Sequence, residues 1–254
     1  MRGDNKRGLI RFTAGLILFT LIFAAASFLC VAAVKKYFEG DGEGVFPSAS
    51  VGEEERFVIV LDPGHGGEDG GCTEGGVLEK DLNLDVALRL RELCRVFGVP
   101  CEMTREDDRL LYDLYGELED YGGKMKTYDL KNRVRFAEER EGAVYVGIHM
   151  NSFPEAKYRG LQVWYSPNAE ESRAIAEKVQ SGARSLDSSN KREAKRAGKS
   201  IFVLDRLTVP AVLVECGFLS NPEEREALCG AEYQMKIASL IFSSVVSFEN
   251  GEPY

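Results

Sequence analysis

The chain predicts a single-domain α/β fold, a six-stranded β-sheet with helices packed against it. Three observations carry this reading. Short apolar runs rich in β-branched residues alternate with segments whose apolar residues recur at helical spacing. Three of those runs lead to a residue capable of chemistry, namely His65, His149 and Glu215. And a length of 254 residues suffices for one such domain with a sizeable core plus accessory segments.

The first segment is not part of the sheet. Residues 12–34 form an uncharged apolar run of 23, long enough at about 1.5 Å per residue to span a bilayer core of roughly 30 Å. Arg2, Lys6, Arg7 and Arg11 precede it, so residues 1–11 are expected to stay cytoplasmic and the domain to face outward. Ala24–Ala26 also offer small residues to a signal peptidase, which makes a secreted product the rival. The apolar run continues past them, which favours an uncleaved membrane anchor. Cys30 reads as a buried thiol within the span. Residues 35–55 follow as a linker, rich from Asp41 onward in Gly, Ser and acidic side chains.

Six of the 32 basic residues and two of the 41 acidic ones precede Asp41, leaving 26 against 39 and a net charge of −13 beyond it. A domain this acidic is expected to bind no nucleic acid by bulk electrostatics. Its five cysteines, Cys72, Cys94, Cys101, Cys216 and Cys229, contain no CxxC spacing and read mostly as small buried hydrophobes.

The elements follow in order over the domain, residues 56–250. Residues 57–61 are the first strand, expected to end at Asp62-Pro63 because proline cannot donate to a ladder. Gly64, Gly66 and Gly67 then allow tight turns around His65. Leu82, Val86, Leu90 and Leu93 place a helix over 79–97, ended by Gly98. Residues 99–104 are a short strand, and the acidic, Tyr-rich stretch 105–126 is a surface excursion. Leu130, Val134 and Ala137 share one face of a helix over 129–140. Residues 143–148 are a strand leading to His149, and 161–165, with the single Trp164, form another, placed at an edge. Residues 170–186 are helical, and the basic run 191–199 is a solvated surface, with contact to an anionic substrate as the alternative. Residues 201–204 and 211–214 complete the strands, the latter of buried type. Asn221 at N-cap with Pro222 at N1 starts a helix, and an amphipathic helix over 233–248 ends the domain.

The chain has only two histidines, each after a strand. Neutral imidazole is a common metal ligand, and catalytic zinc takes three protein ligands while leaving a fourth position open. The third ligand must be a carboxylate, for which Glu68, Asp69, Glu74 and Glu79 compete, with Glu79 at the rigid start of a helix. Glu215 closes a buried apolar strand, where a carboxylate is costly without a partner; its functional reading is a general base at the same sheet edge.

Asp62-Pro63-Gly64-His65-Gly66-Gly67, Glu79-Lys80, His149-Met150-Asn151-Ser152 and Glu215-Cys216-Gly217-Phe218-Leu219-Ser220-Asn221 together resemble the four blocks of the zinc-dependent N-acetylmuramoyl-L-alanine amidases. The resemblance implies a mixed sheet with helices on both faces. It implies one Zn2+ on His65, Glu79 and His149, and Glu215 as catalytic acid/base. The substrate would be peptidoglycan, cut between N-acetylmuramic acid and L-alanine by an extracytoplasmic domain that is membrane-anchored or secreted. Asn151-Ser152-Phe153-Pro154 and Tyr165-Ser166 look most like the amidases of spore cortex. Ala137-Glu138 departs from the Ala-Asn of many members, at a helix position not expected to affect chemistry. Asp62 is offered as a partner for a ligand histidine, Asn151 as a substrate contact. A zinc peptidase acting within the stem peptide and a non-catalytic wall-binding module are the alternatives, and a protein partner is left open.

Overall fold

The structure, a computed structural model, describes residues 57–116 and 122–249. The expected cytoplasmic segment, membrane anchor and linker lie outside these residues. Among the described residues no helix is long and apolar enough to cross a membrane.

Strand β1 (Val58–Pro63) leads through a small hairpin, β2 (Thr73–Glu74) and β3 (Val77–Leu78), into helix α1 (Glu79–Phe97), which Gly98 ends in a left-handed C-cap. Then come β4 (Cys101–Met103), α2 (Met125–Glu138), β5 (Ala143–Asn151), β6 (Gln162–Tyr165) and α3 (Glu171–Gly182). The chain closes with β7 (Lys195–Arg196), α4 (Phe202–Arg206), β8 (Ala211–Phe218), α5 (Pro222–Leu228) and α6 (Ala231–Glu249). The main sheet has six strands in the order β4-β1-β5-β8-β6-β7. All neighbours run parallel except β6 and β8, so the sheet is mixed.

Side chains alternate across the strands and split the core in two. Ile59, Leu61, Val146, Ile148, Val212 and Val214 pack with Leu82, Val86 and Leu90 of α1, Ile175 and Val179 of α3, and Ile237 and Ile241 of α6. Val60, Tyr145, Ala211 and Leu213 face the opposite way, toward Leu130 and Val134 of α2 and Val203 and Leu204 of α4. Helices therefore cover both faces, and the carboxyl ends of β1, β5 and β8 share one sheet edge.

Four expectations are corrected. The sixth strand is not residues 201–204; Ile201 caps α4 and 202–204 lie within it, with Val203 and Leu204 buried, and Lys195–Arg196 supplies the strand instead. A four-residue apolar run has no period that separates strand from buried helix. Strand β6 is consequently not an edge but lies between β8 and β7. His65 follows its strand as expected, but His149 and Glu215 do not sit past theirs. β1 includes Pro63, and β5 and β8 run through His149 and Glu215, because paired backbone continues wherever a neighbour supplies partners. Finally, the stretch after Arg105 is not wholly on the surface: Leu110 and Leu111 are buried, and Leu111 N–H donates to Asp129 Oδ1 at 2.7 Å. Asn221 caps α5 as its spacing predicts, accepting the Glu224 N–H at 3.0 Å.

Candidate active site

His65 leaves β1 in the left-handed region, at φ 62°, which non-glycine residues rarely adopt. Two buried arginines hold it there. The Pro63 carbonyl accepts from Arg105 Nε at 2.9 Å and Arg133 Nη1 at 3.0 Å. The Gly64 carbonyl accepts from Arg105 Nη2 at 3.0 Å and Asn83 Nδ2 at 3.1 Å, and the His65 carbonyl from Arg133 Nη2 at 2.8 Å. Three consecutive carbonyls are thus clamped by cationic donors, which are stronger than neutral ones. Gly66 is required by space as well as by its φ of 140°, since a Cβ there would lie 2.1 Å from the Arg109 carbonyl oxygen.

Arg133 is buried because its charge is matched. It contacts Asp62 Oδ1 at 2.5 Å and Asp129 Oδ2 at 2.8 Å. The Thr104 and Tyr145 hydroxyls also donate to Asp62. Burial pushes the Asp62 carboxyl up, but the Arg133 charge and these hydrogen bonds hold it below the ordinary carboxylate range. Asp62 therefore anchors the arginine clamp and is not the expected partner of a histidine. That place belongs to Asp69, whose Oδ2 lies 3.0 Å from His65 Nδ1 and 3.0 Å from Lys126 Nζ. The two atoms are within hydrogen-bond distance, although the ring N–H is not aligned on the carboxylate oxygen.

Glu79 begins α1, and its carboxylate folds back onto the backbone. Oε2 accepts the Cys72 N–H at 2.8 Å and Oε1 the Met150 N–H at 3.1 Å. Oε1 also lies 3.0 Å from His149 Nδ1 and 3.3 Å from His65 Nε2. The two rings meet edge to face, 5.1 Å between centroids. Burial raises the Glu79 carboxyl, but hydrogen bonding to His149 and His65 and their charge overcome this and hold it far below its ordinary range. Burial lowers His65, while Glu79 and then Asp69 raise it above the usual imidazole value. Ligand atoms of His65, Glu79 and His149 all lie within 4.8 Å of one another, a set that could hold a metal ion. Two imidazole nitrogens and one carboxylate oxygen form the donor set a catalytic zinc takes, so the residues fit the ion.

Glu215 is the register partner of His149 on the adjacent parallel strand. Its Oε2 is shut off from solvent and has no hydrogen-bond partner. Burial pushes the carboxyl up to about 7, with the His149 charge opposing and the Glu79 charge adding to it. Of the rival carboxylates, Glu68 is exposed, and Glu74 accepts from Ser152 Oγ at 2.9 Å. Neither belongs to the cluster.

A model of the family described as N-acetylmuramoyl-L-alanine amidase matches residues 59–247, most of the chain and every element of the site. The chain belongs to that family. The amidase is 38% identical over 198 residues to the germination-specific N-acetylmuramoyl-L-alanine amidase of Bacillus subtilis, covering 77% of this chain and 82% of the relative. It is 26% identical to the Escherichia coli amidase AmiA over 75% of each chain. Among solved structures, the CwlD amidase of Clostridioides difficile, in complex with the GerS lipoprotein, superposes with a TM-score of 0.71 at 34% identity, covering 77% of this chain and all of that one. AmiC2 of Nostoc punctiforme superposes with a TM-score of 0.63 at 29% identity, covering 77% of this chain and 98% of that one. The reaction is hydrolysis of the amide between N-acetylmuramic acid and L-alanine in peptidoglycan.

Arg105, Arg133 and Asp129 are the parts of the amidase site that sequence reasoning missed. Their one signal was three charged residues in segments otherwise read as a surface loop and a helix face. Glu138, at the departure from the family pattern, accepts from Thr208 N–H and Oγ at 2.6 and 2.7 Å and so ties α2 to the loop before β8. The described cysteines are all free; only Cys94 and Cys216 are buried as expected, whereas Cys72 and Cys101 are half-buried and Cys229 is exposed.

Proposed function

We propose that the amidase works with one zinc ion held by His65, Glu79 and His149, and with Glu215 as general base. The observation that carries this reading is the convergence of His65 Nε2 and His149 Nδ1 on Glu79 Oε1, with the unpartnered carboxyl of Glu215 on the neighbouring strand. When bound, zinc supplies a Lewis acid that polarises the scissile carbonyl and lowers the pKa of the attacking water toward roughly 7. Glu215 takes the proton of that water and returns it to the nitrogen of L-alanine as the C–N bond breaks. In the metal-free site burial raises this carboxyl to about 7, the range suited to a group that both accepts and gives a proton near neutral pH. Asp69 orients the His65 ring through Nδ1, and the arginine clamp fixes the backbone that carries it.

The substrate setting we assign is spore cortex, supported by the identity to the germination-specific enzyme. The apolar run at residues 12–34 supports an anchored, outward-facing domain. The lipoprotein bound to the CwlD amidase supports a partner of that kind.

The test is mass spectrometry of muropeptides after incubation of insoluble peptidoglycan with the zinc-loaded protein, together with elemental analysis. Free stem peptides beginning at L-alanine are expected, with one zinc per chain that is lost in His65→Ala and His149→Ala. Cuts inside the stem peptide would instead make the enzyme a peptidase, and full zinc retention in both variants would remove the metal assignment.

A further inference from the structure

The basic run 191–199 stands apart in this acidic chain. It carries Lys191, Arg192, Lys195, Arg196 and Lys199 against one acid, Glu193. Elsewhere the cations are mostly matched, as in Lys80–Asp108 at 2.7 Å, Arg91–Glu106 at 2.6 Å, Arg140–Glu102 at 2.8 Å and Arg173–Glu177 at 2.7 Å. Among the described residues, none of the five cations of the run has a carboxylate within ion-pair distance, while Lys191, Lys195, Arg196 and Lys199 are exposed.

The run is also fixed in place, which a merely solvated loop need not be. Buried Gln162 donates to the Glu193 carbonyl at 2.7 Å, buried Asn190 donates to the Leu161 carbonyl at 2.9 Å, and Asn190 Oδ1 accepts the Arg192 N–H at 3.0 Å. Lys195 and Arg196 pair with Trp164 and Tyr165 as the outermost strand of the sheet. Two cations lie against aromatic faces: Arg192 is 4.7 Å from the ring of Phe218, and Lys195 Nζ is 5.4 Å from that of Trp164.

Its direction relates it to the chemistry. Gln162 is the register partner of Glu215, and β7 runs parallel to β6. Lys191 and Arg192 therefore lie toward the catalytic edge, where Arg192 covers a phenylalanine three positions beyond Glu215, and Arg196 and Lys199 lead away from it. Beside Arg192 a cleft of about 310 Å3 is lined by Arg159, Asp187, Ser189, Asn190 and Lys191. The result is a row of unneutralised positive charge along the sheet edge that leads to the site.

We propose that the edge from Lys191 to Lys199 is a docking surface for the enzyme's own polymeric substrate, holding the carboxylates of stem peptides next to the one being cut. This rests on the peptidoglycan reading of the site. The scissile amide lies on a polymer that carries such carboxylates at every stem, so a cationic row beside the cleft raises its local concentration and sets its direction. Lysines on a short edge strand also guard against edge-to-edge association, and the experiment separates the two roles.

Full-length protein in detergent, carrying Glu215→Gln to prevent digestion, is pelleted with insoluble peptidoglycan stripped of phosphate polymers by hydrofluoric acid. It is compared with the same protein carrying Lys191→Gln, Lys195→Gln, Arg196→Gln and Lys199→Gln. Retention is expected to fall roughly tenfold, the combined effect of four screened surface charges. Retention of the parent should fall similarly between about 50 and about 500 mM salt. On a soluble single-stem muramoyl peptide, the four substitutions in the otherwise wild-type enzyme should leave turnover unchanged while lowering it on the insoluble polymer. Parental retention by the variant, salt-insensitive retention, or retention only on unstripped wall each overturns the proposal, as does aggregation of the variant with parental retention. A wild-type enzyme that cuts neither substrate would count against the amidase mechanism, and the pelleting would still report on the surface.

Discussion

His149 on β5 and Glu215 on β8 face each other in register across two parallel strands, so the proposed ligand and the proposed base are spaced by the sheet itself. Strand separation in a sheet is about 4.8 Å and admits little variation. Glu215 is thereby held at a set distance from the His65, Glu79 and His149 cluster without any hydrogen bond to its Oε2, which has none.

Because Glu215 is not one of the three converging residues proposed to hold the metal, Glu215→Gln should keep its zinc. Turnover on purified peptidoglycan should fall on the order of 10²–10⁴, the usual cost of losing a general base. Elemental analysis and turnover are measured on one preparation. Loss of zinc, or a wild-type rate, would sink the assignment of Glu215.

The same carboxyl should leave a mark on stability. Its folded value of about 7 stands above the 4.5 of an unfolded glutamate. Below pH 4.5 it is neutral in both states and costs nothing. As pH rises toward 7 the unfolded chain gains a charge that the folded one resists, so folding loses on the order of 3 kcal/mol. Metal-free wild type should thus lose stability relative to metal-free Glu215→Gln between pH 4.5 and 7, and hold a constant difference above. Denaturant melts across that range check it; a difference that does not vary with pH would show the carboxyl titrates normally.

Gly64 tests how closely β1 and β5 must approach. A Cβ there would lie 2.1 Å from His149 Cε1 and 2.2 Å from Nε2. Gly64→Ala should fold but push the His149 ring aside, weakening zinc on the order of 10–100-fold, as loss of a ligand's supporting contact does. Competition with a chromogenic chelator measures it, and wild-type affinity would mean that the ring does not need this position.

The arginine clamp predicts a different defect. Arg133→Met leaves Asp62 and Asp129 buried without their cation and should cost about 3–5 kcal/mol. Arg133→Lys keeps the charge but cannot reach the Pro63 and His65 carbonyls together with both carboxylates, so it should be intermediate. Urea midpoints report both; a melt of Arg133→Met within about 1 kcal/mol of wild type would show that the pairing contributes little.

Much of this enzyme is legible in one dimension because its signals are local. The α1 boundaries at Glu79 and Gly98 follow from helical apolar spacing and a glycine stop, and the Asn221-Pro222 start of α5 from capping chemistry, each decided within a few residues. The two histidines and Glu215 stand out because each follows an apolar run at a chemically unusual place. What the sequence could not decide depends on partners far along the chain. Lys195–Arg196 becomes a strand, and residues 201–204 do not, because β6 presents a free edge to one and the sheet face offers a helix site to the other. Whether Asp62 or Asp69 attends His65 was settled by Arg133, 71 positions from Asp62, which claims the first carboxylate and leaves the second for the imidazole. A buried charge takes its role from whatever opposite charge the fold brings within reach, and only tertiary structure makes that choice.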